Sequence, residues 1–205
     1  MIKQPRIYLA SQSARRRELL KQIGVNFEML LQRFDPRRAL DTDETPLPDE
    51  LPEVYVRRIC KDKAEAGWKA LKFRNLPVFP VLAADTSVIL DGKIIGKPLD
   101  REQAANTLRA LSGRQHQVLS AVAVIYEKQF EMRLSASTVT FAALSEERIR
   151  HYLLTNEPLD KAGSYAIQGY AAAFIRHVEG SYSGVMGLPL FETAELLQTF
   201  GYPVL

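Results

Sequence analysis

A continuous apolar run near the middle of the chain places the strongest constraint on the fold. The run covers Val78–Ala84 (VFPVLAA) and stops at the charged residue Asp85. A strand without a polar face is typical of a sheet that is covered on both sides. The run therefore predicts a buried strand of an α/β sheet. It places Asp85 and Thr86 at the carboxyl end of that strand, where ligand sites of such sheets gather.

Strand and helix patterns alternate along the rest of the chain. Ser13 and Gly24 are the predicted N-cap and C′ residues of a helix over Ala14–Ile23, and Asp91-Gly92 predicts a tight hairpin turn. The hairpin strands are Val88–Leu90 and Lys93–Ile95, the other strands are Arg6–Ala10, Asn26–Leu31, Gln117–Tyr126, Phe130–Ala142 and Ala172–His177, and the other helices are Glu53–Leu71, Arg101–Leu111, Ser145–Leu154 and Pro189–Phe200. This order predicts an α/β fold with a mixed sheet and flanking helices.

Composition excludes several classes of protein. With 205 residues, 46% of them apolar and 25% charged, the chain is long enough for one large domain or two small lobes. Cys60 is the single cysteine, which excludes an internal disulfide and a thiolate zinc cluster. No apolar run approaches the roughly 18 residues of a membrane span. The N-terminus also lacks the apolar core of a signal peptide. We therefore expect a cytoplasmic protein without a membrane partner.

One stretch and two charge clusters need separate interpretation. Asp35–Glu53 contains four prolines and no apolar period, which predicts an exposed, mobile loop. The net charge of +3 is a weak indication of an anionic ligand. The basic clusters at 15–17 and 57–63 are more typical of solvated helix faces than of stable nucleic-acid binding.

The segment around the first predicted helix start suits an anion. Hydroxyl and N–H groups at a helix N-terminus favour negative charge, and Ser11 stands just before that start. Arg15 and Arg16 follow it and can hold phosphate with paired hydrogen bonds. The alternative is a plain N-cap and a solvated first turn. Lys63 falls on the apolar stripe of its predicted helix, where a lysine is unusual.

Four later positions can also bind a ligand or take part in a reaction, and each has an alternative structural interpretation. Asp85 can hold Mg²⁺ or accept a proton from water, or it can simply form a turn. Lys97, between Gly96 and Pro98, can reach a phosphate or belong to a charged turn. The side-chain amide of Gln168 can hydrogen-bond the edge of a base, or it can belong to a loop. Gly180–Gly187 can offer backbone N–H groups to an anion or be a flexible turn.

Other common site motifs are absent. The chain has no P-loop, no glycine-rich dinucleotide fingerprint and no nucleophile elbow. Its three histidines, His116, His151 and His177, lack metal-ligand spacing. The segment from Arg17 resembles half of a Nudix box, but Lys21 and Gln22 stand where that box needs glutamates.

Taken together and in order, the polar segments resemble the Maf family of nucleoside triphosphate pyrophosphatases. The matching segments are LASQSARRRELL, KDKAEA, AADTSVILDGKIIGKP, NTLRALSGRQHQV, LDKAGSYAIQG and EGSYSGVMGLP, between Leu9 and Pro189. The resemblance implies one elongated Maf/ITPase-like domain over residues 1–205, with a cleft between two lobes. It also implies hydrolysis of a nucleoside triphosphate to the monophosphate and pyrophosphate with a divalent metal, Mg²⁺ or Mn²⁺.

The same resemblance assigns roles to individual residues. Asp85 corresponds to the proposed proton acceptor, and Asp35 and Asp85 are the implied metal ligands. Asp35 stands where the family usually carries a glutamate. The implied substrate-binding residues are Ser11, Arg15, Arg16, Lys63, Thr86, Lys97 and Gln168. Thr86 and Gln168 resemble the branch that prefers dTTP and UTP, whereas the 7-methyl-GTP branch carries glutamine and glutamate at these positions.

Two other functions stay open on sequence grounds. A non-catalytic nucleotide-binding regulator of cell division fits the short acid Asp35. A nucleic-acid binder fits the arginine clusters, although no aromatic residues are interleaved with them. The family resemblance also implies a possible homodimer.

Overall fold

The structure, a computed structural model, describes residues 6–30 and 42–204. Within them the strands are β1 (Ile7–Leu9), β2 (Phe27–Met29), β3 (Val81–Leu90), β4 (Lys93–Ile95), β5 (Gln115–Tyr126), β6 (Gln129–Phe141) and β7 (Ile175–Glu179). The α-helices are α1 (Ala14–Gln22), α2 (Pro52–Phe73), α3 (Arg101–Leu111), α4 (Glu146–Leu153), α5 (Tyr182–Met186) and α6 (Leu190–Thr199). Short 3₁₀ segments lie at Glu157–Asp160, Ala162–Ser164 and Tyr170–Phe174.

All seven described strands form one mixed sheet, which confirms the predicted class. The order is β2-β1-β3-β5-β6-β7, and β4 pairs with β3 outside this path. β1 pairs in parallel with β2 and β3, whereas the remaining pairs are antiparallel. The long β3, β5 and β6 therefore form the rigid centre on which the shorter elements are placed.

β3 changes its partner on one edge halfway along its length. Leu82 pairs with Leu9 of β1, and Val88 pairs with Ile95 of β4. Between them, no described strand pairs with residues 83–87 on that edge, although β5 pairs with β3 from Val81 to Ile89 on the other edge. The fold thus leaves a gap in the sheet beside the middle of β3.

The predicted position of Asp85 at a strand end is wrong. Asp85 lies in the middle of β3, because pairing with β5 continues past it to Ile89. The apolar run stops at Asp85 because this residue lies in the stretch of β3 that pairs with no described strand on one edge, beside the gap. The predicted start at Val78 is also too early, since Pro80 has no N–H group for a strand ladder and β3 begins at Val81.

Helices cover both faces of the sheet, as the apolar run predicts. On one face α2 packs Val56, Ile59 and Ala64 against β3 and β5. On the other face α6 adds Leu196 and Leu197 to the cluster that contains β1. The helices α3 and α4 cover the far end of the sheet through Leu108, Leu111 and Ile149.

A glycine lets α2 approach the sheet closely near the gap. A Cβ atom at Gly67 would lie 2.8 Å from the Cβ of Ala10 and 3.0 Å from a methyl group of Val81. Such distances are below normal van der Waals contact, so a side chain there would push the helix away. The close approach keeps the preceding turn of α2, which carries Lys63, beside the middle of β3.

Two predicted elements near the C-terminus need correction. The predicted strand Ala172–His177 is a 3₁₀ segment up to Phe174, and β7 starts only at Ile175. The segment Gly180–Gly187 contains the short helix α5, because the Ser181 hydroxyl accepts a hydrogen bond from the N–H of Gly184 at 2.9 Å.

The predicted loop Asp35–Glu53 is described only from residue 42 onward, and Asp35 lies outside the described residues. Residues 42–51 form no helix or strand, as expected for a loop. No helix in the described part of the chain is long and apolar enough to cross a membrane.

Candidate active site

The gap beside β3 opens into a cleft with a volume of about 840 Å³. Every predicted site residue that the structure describes lines it. These residues are Ser11, Arg15, Arg16, Lys63, Asp85, Thr86, Lys97 and Gln168. Segments far apart in sequence therefore contribute to one cavity, whereas Asp35 cannot be placed.

Arg16 joins the first helix to the end of α5. Its Nε donates to the carbonyl oxygen of Gly187 at 2.8 Å, and its Nη1 donates to the Ser11 hydroxyl at 3.1 Å. Ser13 caps α1 by accepting from the N–H of Arg16, as predicted. Burial lowers the pKa of Arg16, and the negative charge of Asp85 partly offsets that effect. The guanidinium stays charged and is fixed at the cleft wall.

Two other cations line the cleft with their charged groups free of described protein partners. Arg15 and Lys97 make no hydrogen bond or ion pair with any residue that the structure describes. Both line the cleft, Arg15 from α1 and Lys97 from the turn after β4. They differ from Arg16 in that their charged groups are available to an anion.

Two carboxylates lie next to the ammonium group of Lys63. Its Nζ lies 2.7 Å from Oδ1 of Asp85 and 2.6 Å from Oε1 of Glu44. The Lys63 side chain is 20% exposed and that of Asp85 is 10% exposed, so water screens this pair less than a surface pair. The inward position that the helical period predicts for Lys63 is the one found.

Sequence reasoning missed Glu44. This residue lies in the acidic loop, whose seven acids have no period that would distinguish one from another. Only the contacts single it out. The Tyr55 hydroxyl donates to the backbone oxygen of Glu44 at 2.8 Å, and Arg58 donates to the backbone oxygen of Thr45 at 3.1 Å. Arg58 also binds both carboxylate oxygens of Glu50 at 2.7 Å, so this part of the loop is attached to α2.

Among the titratable groups beside Asp85, Cys60 and Tyr55 stay protonated near neutral pH. Among the described residues, the second oxygen of Asp85 has only a long contact with the Ser87 hydroxyl, at 3.4 Å. Burial raises the pKa of the nearby Cys60 thiol to about 12, so Cys60 is not a thiolate nucleophile. Burial and then the charge of Asp85 raise the pKa of Tyr55 to about 12, which keeps its hydroxyl protonated.

Thr86 faces the cleft with a fixed hydrogen-bond polarity. The Ser120 hydroxyl lies 2.9 Å from the Thr86 hydroxyl and 2.6 Å from the carbonyl oxygen of Gly184. A carbonyl only accepts, so Ser120 gives its single proton to Gly184. Thr86 must then donate its proton to Ser120. What Thr86 offers to a ligand in the cleft is therefore an acceptor and not a donor.

Gln168 stands on a tight turn at the cleft edge. The N–H of Gly169 donates to the carbonyl of Ala166 at 3.1 Å, which places Gln168 within the turn. The Gln168 side chain is exposed and has no hydrogen-bond partner among the described residues. Its donor and its acceptor are both available to a ligand.

The histidines supply no metal centre in the described part of the chain, where no group of three or more His, Cys, Asp or Glu side chains could hold an ion. His116 is 3% exposed, and its Nε2 lies 2.8 Å from the Tyr165 hydroxyl. Its Nδ1 is buried without a partner. His116 thus belongs to the core, whereas His151 and His177 are exposed.

Comparison with known proteins identifies the family and the fold of the chain. The family described as "Maf-like protein" matches residues 6–200. A dTTP/UTP pyrophosphatase of Nitrosomonas europaea is 57% identical over 97% of this chain and 96% of its own length. A dTTP/UTP pyrophosphatase of Aromatoleum aromaticum is 56% identical over 98% of each chain. The Staphylococcus aureus Ham1 protein superposes with a TM-score of 0.51 at 15% identity, over 95% of this chain and 97% of its own, which indicates a shared fold.

Proposed function

Because the chain belongs to the Maf family, we propose that it hydrolyses dTTP and UTP to the nucleoside monophosphate and pyrophosphate. The observation that carries this proposal is the convergence of Arg15, Arg16, Lys63 and Lys97 on a cleft that also contains the buried carboxylate of Asp85. Four cations suit a triphosphate, and one carboxylate among them suits the activation of water.

The cations contribute to triphosphate binding in two different ways. Arg15 and Lys97 have no protein partner among the described residues, so each gains a charge-assisted hydrogen bond when phosphate enters. Arg16 is already held by Ser11 and Gly187 and presents a preorganised charge. Preorganised charges lower the barrier most, because they do not reorient as charge moves onto the leaving group.

Asp85 is the group that takes the proton. Its Oδ1 is engaged by Lys63, while its Oδ2 has lone pairs free beyond the long Ser87 contact. In the proposed step a water oxygen forms a bond to the α-phosphorus as Asp85 accepts the water proton. The bond from that phosphorus to the bridging oxygen breaks, and the bridging oxygen leaves with pyrophosphate. The chain's remaining task is to position the substrate in line for this attack.

The carboxylates of Asp85 and Glu44 also fit a divalent metal. Mg²⁺ and Mn²⁺ prefer oxygen ligands, and Mg²⁺ is often held by one or two carboxylates together with substrate phosphates and water. The two carboxylates share one ammonium within 2.7 Å, so they are close enough to act together. A bound metal supplies positive charge to the phosphate oxygens. In this proposal Glu44 takes the role that the family resemblance implies for Asp35.

Base choice is assigned to Gln168 and Thr86. Thymine and uracil present one N–H donor between two carbonyl acceptors. A neutral glutamine offers one donor and one acceptor, which matches the N–H and one carbonyl. Thr86 offers a second acceptor, because its proton is committed to Ser120, so it can share the N–H of the base with the glutamine oxygen but cannot pair with a base carbonyl. The pyrimidine preference in the names of the relatives is consistent with this pattern.

A panel of triphosphates tests the proposal. The purified chain is incubated with dTTP, UTP, dCTP, ATP and GTP, with Mg²⁺, with Mn²⁺ and with a chelator, and pyrophosphate release is measured. We expect release from dTTP and UTP in the presence of metal. Binding of these nucleotides without turnover would instead support the non-catalytic regulator, and steeply salt-dependent binding of oligonucleotides would support the nucleic-acid binder.

A further inference from the structure

Glu157 lies in the 3₁₀ segment Glu157–Asp160. The proposed reaction does not use it, yet its carboxylate accepts three hydrogen bonds. Its Oε1 accepts from the Tyr152 hydroxyl at 2.8 Å and from the N–H of Ala171 at 3.2 Å. Its Oε2 accepts from the N–H of Tyr170 at 2.9 Å. All three partners are donors, so the carboxylate of Glu157 acts as the acceptor in each of these hydrogen bonds.

The same carboxylate lies directly against Gly169. A Cβ atom at Gly169 would be 2.0 Å from Oε2 and 2.5 Å from Cδ of Glu157, which no real structure tolerates. The two N–H groups that Glu157 accepts from are the first two of the 3₁₀ segment Tyr170–Phe174. Such N–H groups have no partner inside the segment. Glu157 therefore both caps this segment and sets the path of the backbone at Gly169.

Gln168 is the residue immediately before this contact. Its turn is closed by the hydrogen bond from Gly169 to Ala166, and its own side chain has no partner among the described residues. No described residue holds the Gln168 side chain in place through a hydrogen bond. Its position relative to the cleft therefore follows from where the backbone at Gly169 is held, and Glu157 holds it there.

We propose that Glu157 is a positioning residue for base recognition, which fixes the Gln168 turn through the N–H groups of Tyr170 and Ala171. The proposal rests on the proposed function, because it assumes that Gln168 contacts the base. Glu157→Gln is the sharpest change, since an amide can accept through only one atom. Its NH₂ group must then face either the N–H of Tyr170 or the two donors on the other side, the Tyr152 hydroxyl and the N–H of Ala171, so at least one donor loses its acceptor.

The test compares dTTP with a substrate that has no base, 1,2-dideoxyribose 5-triphosphate. We expect Glu157→Gln to lower kcat/KM for dTTP by about tenfold, mainly through KM, because a hydrogen bond to the base is misplaced. The value for the substrate without a base should stay within about twofold of the wild-type value. Glu147→Gln is the matched control, because this exposed glutamate of α4 makes no contact with the cleft.

A double-mutant cycle with Gln168→Ala separates positioning from a general structural effect. If Glu157 acts through Gln168, then Glu157→Gln should cost little on dTTP once Gln168 is alanine. Equal losses on dTTP and on the substrate without a base, or additive losses in the cycle, would overturn the proposal. If Glu157→Gln does not fold, Tyr152→Phe removes only the hydroxyl that holds Oε1, and it should give a smaller loss with the same selectivity for dTTP.

Failure of the proposed function would look different. Wild-type protein that hydrolyses neither compound would overturn the proposed function itself. Wild-type protein that hydrolyses both, with Gln168→Ala equally impaired on both, would remove Gln168 from base recognition and Glu157 with it.

Discussion

The ammonium of Lys63 lies 2.7 Å from Oδ1 of Asp85, at the point where β3 has lost its partner β1 and has not yet gained β4. A lysine on the apolar stripe of α2 thus meets an acid from the middle of a buried strand. Burial of two charges is costly unless they are paired. The pair therefore explains why both charged residues are tolerated beneath the cleft.

Replacing Asp85 by asparagine should remove the proton acceptor and leave the fold intact. The amide oxygen can still accept from Lys63, so we expect a thermal unfolding midpoint close to that of the wild type. The kcat on dTTP should fall by about 10²-fold or more, the usual range for a general base. Asp91→Asn is the control, because Asp91 is an exposed acid at the end of the same strand that pairs with Arg114 outside the cleft. Near-normal turnover in Asp85→Asn would remove Asp85 from the mechanism.

The cations should separate into two classes when each is changed to alanine. Arg15→Ala and Lys97→Ala should raise KM for dTTP without changing the unfolding midpoint, because neither residue has a partner among the described residues. Arg16→Ala should lower both activity and stability, because it also breaks the contacts to Ser11 and Gly187. Kinetics and thermal unfolding of the three variants check this. Equal destabilisation by all three would contradict the division.

Much of this site could be predicted from the sequence, because the positions of several residues follow from local patterns. The helical period of α2 places Lys63 inward, and Ser13 caps α1 through a contact within one turn. Glu44 was not predictable, because its place depends on Tyr55 and Arg58 holding an aperiodic loop against α2.

The position of Asp85 shows a second limit of prediction from the sequence. A strand that loses a neighbour on one edge looks like a strand that ends, since in both cases polar residues follow apolar ones. Only the pairing with β5 distinguishes the two, and that pairing joins residues 28 to 44 positions apart. The 3₁₀ segment before β7 was not predicted for a similar reason. The residue that caps it, Glu157, lies 13 residues before Tyr170 and is not part of any local pattern.

The fixed polarity of Thr86 predicts an effect of a residue behind it. Ser120→Ala removes the acceptor that holds the Thr86 proton, so the Thr86 hydroxyl becomes free to donate. The preference for dTTP over dCTP, which carries an acceptor where dTTP carries N3–H, should then narrow several-fold. Thr86→Val, which keeps the size and removes the hydroxyl, is the companion variant. A dTTP/dCTP ratio that neither change moves would show that Thr86 takes no part in base choice.

His116 should make the fold sensitive to mild acid. Burial lowers its pKa from 6.5 to about 4 in the folded chain. Between these values the unfolded chain binds more protons, so stability falls as the pH drops from 6.5 toward 4. Going from pH 7 to pH 5 should cost about 2 kcal/mol through this group.

Unfolding of His116→Gln at both pH values tests this dependence. The glutamine cannot titrate, so the variant should lose less stability between pH 7 and pH 5 than the wild type. His177→Gln, a change at an exposed position, should behave like the wild type. The same pH dependence in all three proteins would assign the effect to other groups.

The products formed from dTTP show which phosphoanhydride bond the protein cleaves and whether Asp85 is needed for that cleavage. Wild-type protein and Asp85→Asn are purified in parallel, incubated with dTTP and Mg²⁺, and the products are separated by ion-exchange chromatography. We expect the wild type to form dTMP and pyrophosphate in equal amounts, and Asp85→Asn to form them at least about 10²-fold more slowly. Formation of dTDP and inorganic phosphate, or equal rates in the two proteins, would contradict it.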